Sequence, residues 1–156
     1  MMKFKTFAQF FTEKYVVGLV EPIYIDGLGI VEAKIDSGNG GYNVIHGEEI
    51  QEQGSKVTFK TISNRRLMKP IVDRVKINVG AGHQEDRPVI ELDVKMGDRE
   101  FRNVKFSVGN RTNNDHKVLI CKGFIEGDLD ALIDVSATNI VDRNVQVDYR
   151  NAPSHL

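Results

Sequence analysis

A single cysteine, Cys121, is all the thiol chemistry in this chain of 156 residues, which excludes an intrachain disulfide and fits a reducing interior. No apolar run is long enough to span a bilayer, and no cleavable secretory signal is evident. Strong charge of either sign is also missing: a net charge of -1 and a pI of about 6.4 give no general attraction to DNA, RNA or an anionic membrane. Neither nucleic acid nor membrane is therefore expected as a partner, and the protein is expected in cytoplasm or in something assembled there. The histidines His46, His83, His116 and His155 are scattered, each reads as a surface or loop residue, and no H-E-x-x-H occurs, so no metal site is expected. No G-x-x-x-x-G-K-[ST] loop is present, and Gly38, Gly40 and Gly41 open no helix that could cradle a phosphate, so no cofactor is expected either. Repeats, low-complexity tracts and linkers are absent, and 40% hydrophobic residues suffice for one domain with a real core.

What is present reads almost entirely as strands. Phe4, Phe7, Phe10 and Phe11 lie at helical spacing, so residues 1–14 predict an amphipathic helix that docks its aromatic stripe on the domain or carries a specific signal. From Tyr15 the period shortens to two. Residues 15–25 and 30–35 predict two strands joined by a turn at Asp26-Gly27-Leu28-Gly29. A hairpin follows over 57–72, a candidate for a lid that folds over a cleft, or else a plain surface hairpin. Further strands are expected at 75–79, 88–96, 101–108, 118–121 and 131–135, with a loop over 80–86 and a short helix or turn over 123–129. Glu48, Glu49 and Glu52 read as a solvated face, and Cys121 in its apolar run reads as a buried structural thiol. The fold class this predicts is all-β, a barrel or sandwich, with a domain over 15–147 and a loose tail over 148–156.

The chemistry is concentrated in Lys34-Ile35-Asp36-Ser37-Gly38, where a hydrophobic strand runs into an Asp-Ser-Gly turn. This is how an aspartic peptidase presents its catalytic carboxylate: Gly38 lets backbone pass close to a partner loop, and the Ser37 hydroxyl can hold that loop by hydrogen bonds. Hydrolysis by this route needs two carboxylates sharing one proton, one as base toward water and the other as acid toward the substrate carbonyl. The chain holds one Asp-Ser-Gly, so the second must come from a second copy across a two-fold axis. Taken alone, the triplet reads more readily as an ordinary strand-to-turn junction than as a catalytic one, since Asp, Ser and Gly favour turns.

Four further motifs accompany it in order: Val16-Val17-Gly18 before it, then Arg87-Pro88-Val89-Ile90 with a turn at Met96-Gly97, then Asn110-Arg111, then Leu119-Ile120-Cys121-Lys122 with Ile133-Asp134. Together they resemble a retropepsin-like family labelled ATP-dependent zinc proteases and associated with RimK-type ligases. The resemblance implies a closed retropepsin-like β-barrel that dimerises, with Asp36 as the catalytic residue and Ser37 and Gly38 as loop supports. The zinc and ATP of that label find no residues here. Cys121 stands where the family's motif has glycine, which leaves open an inactive member that keeps the barrel without the chemistry. Lys5-Thr6-Phe7, Phe10 and Glu13 resemble the capsid-targeting leader of internal head proteins in large contractile-tailed bacteriophages. The expectation is thus a homodimeric, phage-encoded aspartic endopeptidase acting on protein or peptide in the host cytoplasm. The alternative is an inactive structural or assembly protein that meets phage head or other virion proteins.

Overall fold

Period-two alternation of buried and exposed side chains sets the architecture. The computed structural model describes residues 15–141, so the predicted helix over 1–14 and the tail over 148–156 lie outside the described residues. The first strands are Tyr15–Val17 (β1), Val20–Ile25 (β2) and Gly29–Asp36 (β3), followed by Asn43–His46 (β4). Glu48–Gln53 (β5), Lys56–Lys60 (β6) and Arg66–Pro70 (β7) come next, then Asp73–Gly80 (β8), His83–Met96 (β9) and Arg99–Gly109 (β10). Val118–Cys121 (β11), a π-helical turn at Phe124–Asp128 and Ala131–Ile133 (β12) complete the order.

One sheet runs β10-β4-β11-β3-β2-β9-β8, and an additional β9–β10 pairing closes six of these strands into a ring with β8 attached to its outside. Closure leaves the ring no open edge, the expected solution for a small all-β barrel. Ile23, Ile25, Ala33, Ile45, Ile90, Leu92, Phe106 and Ile120 point inward from the ring strands and form its core. β5, β6 and β7 form a separate three-stranded sheet that packs on this core through the fully buried Val57 and Phe59. The hairpin expected over 57–72 therefore exists as β6–β7, but its anchorage argues against a movable lid.

The projecting hairpin is β8–β9. Val89 pairs both with Asp73 of β8 and with Ser107 of β10, whereas residues 83–88 of β9 pair with β8 alone, leaving a two-stranded arm. The segment 80–86, expected as a loop, is a tight turn followed by strand. Gly80, Ala81 and Gly82 all take positive φ (100°, 50° and 75°), which turns the chain sharply enough for His83 to Asp86 to continue the ladder. Two other expectations also shift. The acidic segment 48–53 is a strand, and residues 15–25 are two strands split at Gly18-Leu19, because β1 leaves the barrel to pair in parallel with β12.

Candidate active site

Asp36 is the last residue of β3, and β11 lies beside it in parallel register, with Cys121 opposite Asp36. β11 pairs antiparallel with β4 on its other side, so it threads between the two strands joined by the Asp36 loop. The loop is fastened from beneath. Asn39 N donates to the Asp36 carbonyl at 3.2 Å, Lys122 N to the Asn39 carbonyl at 2.9 Å, and Cys121 N to Asn43 Oδ1 at 2.8 Å. Asp36 is half-buried at the rim, while Ser37 and Gly38 are exposed. A Cβ added to Gly38 would come no nearer than 3.9 Å to Asp36 Oδ1, so nothing within one protomer crowds that position.

Cys121 fills the motif's glycine position without disrupting the strand. It is fully buried and packs with Val44 and Leu119. Burial, and secondarily the Asp36 carboxylate, push its thiol up to about 12, so at neutral pH it is a neutral thiol and not a nucleophile. The native protein is expected to resist iodoacetamide at neutral pH over hours and to label fully in urea; rapid native labelling read by mass spectrometry would contradict this burial.

Two arginines flank the site. Arg111 is half-buried; its N–H donates to His46 Nδ1 at 2.8 Å and its Nε to the His116 carbonyl at 2.8 Å. Burial and the neighbouring Arg87 lower its basicity, opposed by Asp36 and Cys121. Lys117 Nζ secures the same loop by donating to the carbonyls of Arg111, Thr112 and Asn114 at 2.7, 3.0 and 2.7 Å. His46, expected on the surface, is buried on β4, because its Nδ1 is needed as acceptor for the Arg111 N–H. Burial is also what chiefly lowers its pKa.

Arg87 is buried against Gly109 and bonded through Nε to Glu85 at 3.0 Å. A Cβ on Gly109 would stand 2.5 Å from Arg87 Cζ. Gly109→Ala is therefore expected to displace the guanidinium and cost about 1–3 kcal/mol in urea unfolding. Adding Arg87→Met should recover part of that loss; a double variant as unstable as the sum of both would refute the steric account.

A cleft of about 530 Å³ opens behind the Asp36 loop, lined by Gly40, Gly41 and Tyr42 on one side, Val75 of the arm on another, and Val104 and Phe124 below. Among the described residues no group of three or more His, Cys, Asp or Glu side chains is placed to hold a metal ion.

A family model described as "RimB-like: Retropepsin-like aspartic endopeptidase RimB" matches residues 16–144. The chain belongs to this family. No curated protein matches the sequence. Among solved structures, the Legionella pneumophila subsp. pneumophila str. Philadelphia 1 protein Lpg0085, of unknown function (DUF785), is similar with a TM-score of 0.67 and 25% identity, over 81% of this chain and 98% of that one. In this RimB-like chain β11, which carries Leu119-Ile120-Cys121, lies beside the strand that ends in the Asp-Ser-Gly loop. The tyrosine in the loop, Tyr42, is not among the sequence motifs. Its hydroxyl donates to Asp73 Oδ2 at the root of the arm. An aromatic residue closing a glycine-rich loop was the available signal, but its partner lies 31 residues away.

Proposed function

We propose that the chain is a homodimeric aspartic endopeptidase in which Asp36 and its symmetry mate share one proton. One carboxylate takes a proton from water as the other gives one to the substrate carbonyl, with no covalent intermediate and no metal. The observation that carries the reading is the setting of the single Asp-Ser-Gly in a RimB-like chain: Asp36 ends β3 opposite Cys121, with its loop fastened to β11. The open space around Gly38 supports a partner approach, because glycine there has no neighbour to accommodate within one protomer. Ser37, exposed beside it, has the hydroxyl to hold the partner's loop. The β8–β9 arm is the element suited to close over a bound peptide and exclude water. Cleavage of a peptide library from acidic to neutral pH, with light scattering to fix the oligomeric state, tests the proposal; a strictly monomeric active enzyme would refute the dyad.

A second reading, an inactive virion or assembly protein, is favoured by Cys121 in the motif's glycine position and by the extra glycines Gly40-Gly41 after the triplet. Its partners would be other virion proteins, and its residence the host cytoplasm or the particle. Absence of cleavage by a verified dimer, with cleavage gained in Cys121→Gly, would select it.

A further inference from the structure

The loop behind Asp36 holds three glycines in four residues, Gly38, Gly40 and Gly41, and an added Cβ at Gly40 would meet nothing within 4 Å. Such a segment has large conformational freedom and keeps a position only through its fastenings. Those beneath it, from Lys122 to Asn39 and from Cys121 to Asn43, join it to β11 and its immediate continuation within its own barrel. The Tyr42 hydroxyl instead reaches across to Asp73 on β8.

Asp73 is no arbitrary point on β8. It pairs with Val89, the residue at which β9 stops pairing with β10 and continues into the arm, so it marks the arm's root. Its Oδ1 accepts from Arg74 N at 2.8 Å, which orients the carboxylate and leaves Oδ2 for the tyrosine. Asn43 Nδ2 donates to the Lys105 carbonyl at 3.2 Å on the neighbouring strand, and the Lys105 charge acts weakly on Asp73. The bond holds Asp73 ionised and Tyr42 neutral, lowering the acidity range of the first and raising that of the second. Tyr42 and Val75, two residues beyond Asp73, both line the cleft behind the loop.

We propose that Tyr42 and Asp73 are positioning residues of the Asp36 site: their bond couples the arm to the glycine-rich loop, so that closing the arm over a peptide and aligning Asp36 are one movement. This inference rests on the peptidase reading above. Because the bond is solvent-exposed, it adds little to global stability, and its effect falls on the local position of the loop. Near-attack alignment is sensitive to displacements of about 1 Å, so freeing the loop acts on the chemical step more than on binding.

The test uses full-length Tyr42→Phe, Asp73→Asn and the double variant, none of which changes side-chain bulk much. Each single variant is expected to lower kcat about tenfold with a smaller change in KM. The double variant should be no slower than either single, since all three break one bond. Hydrogen exchange by mass spectrometry should show faster exchange over residues 37–43 with an unchanged thermal midpoint. Wild-type kcat in Tyr42→Phe, or additive losses in the double variant, would overturn the proposal. A lowered thermal midpoint with wild-type kcat in the folded fraction would mark a purely structural bond and overturn it too. Should the wild type show no Asp36-dependent cleavage, the peptidase reading fails, and unchanged exchange over 37–43 in Tyr42→Phe would overturn the coupling independently.

Discussion

On the proposed mechanism, Asp36→Asn is expected to fold and to keep the oligomeric state of the wild type while losing cleavage by a factor on the order of 10⁴ or more. Asparagine matches the shape of the carboxyl group. The backbone contacts that fasten the loop, including Asn39 N to the residue-36 carbonyl at 3.2 Å, do not depend on the charge. What the proposed mechanism loses is the exchangeable proton of the carboxyl pair, for which an amide has no substitute. Mixing subunits sharpens the test. With equal amounts of wild-type and Asp36→Asn chains freely exchanging, an enzyme needing both carboxylates keeps about a quarter of its activity, because about a quarter of the dimers are fully wild type. A catalyst complete within one protomer keeps half. Cleavage rates in the equilibrated mixture, followed with the same peptide, separate the two outcomes, and a value near half would refute a shared site.

The largest loss of stability is expected from Glu21→Ala, at about 4 kcal/mol. Glu21 is fully buried on β2, and its carboxylate accepts three backbone N–H groups: Gly18 at 2.6 Å, Ile140 at 3.1 Å and Val141 at 3.2 Å. Leu19 N to the Ala137 carbonyl at 2.8 Å and Asn139 N to the Val20 carbonyl at 2.9 Å belong to the same seam, which holds residues 137–141 against 18–21. Alanine would strand three donors, those of Gly18 and Val141 buried and that of Ile140 partly buried, and each unmet buried donor costs about 1–3 kcal/mol. Glu21→Gln keeps the shape and one acceptor oxygen, but turns an amide N–H toward a backbone donor, so it should fall between wild type and alanine. Urea unfolding of the three proteins checks the order. A loss below about 1 kcal/mol in Glu21→Ala would show that the seam is not held by this carboxylate.

The barrel was legible because its strands bury one face: apolar residues alternate through Ile23 and Ile25, and glycines punctuate the turns at 27 and 97. The same alternation carried an unread signal, since Glu21 shares a face with Ile23 and Ile25, and an acid on an apolar face must find donors. β5 was hidden by composition. Glu48, Glu49 and Glu52 have low strand preference; the segment becomes a strand by its ladder with β6, and Lys60, Arg66 and Arg74 offset its charge. The arm was hidden because both its faces are largely exposed, so His83 to Asp86 look like any polar loop. Of the candidate site, Asp36 and its triplet could be read in the chain. His46, Tyr42 and Gly109 acquire their partners Arg111, Asp73 and Arg87 only when the barrel closes.

β1 and β12 join Tyr15 to Ala131, and Glu21 reaches donors 119 and 120 residues further along. This long-range closure has a kinetic consequence. Long-range pairings incur their loop entropy before they return any contact energy, which makes them slow steps in folding. The seam cannot form on a nascent chain until residues 131–141 have left the ribosome, whereas every strand of the ring ends by Cys121, so the ring can close before the seam does.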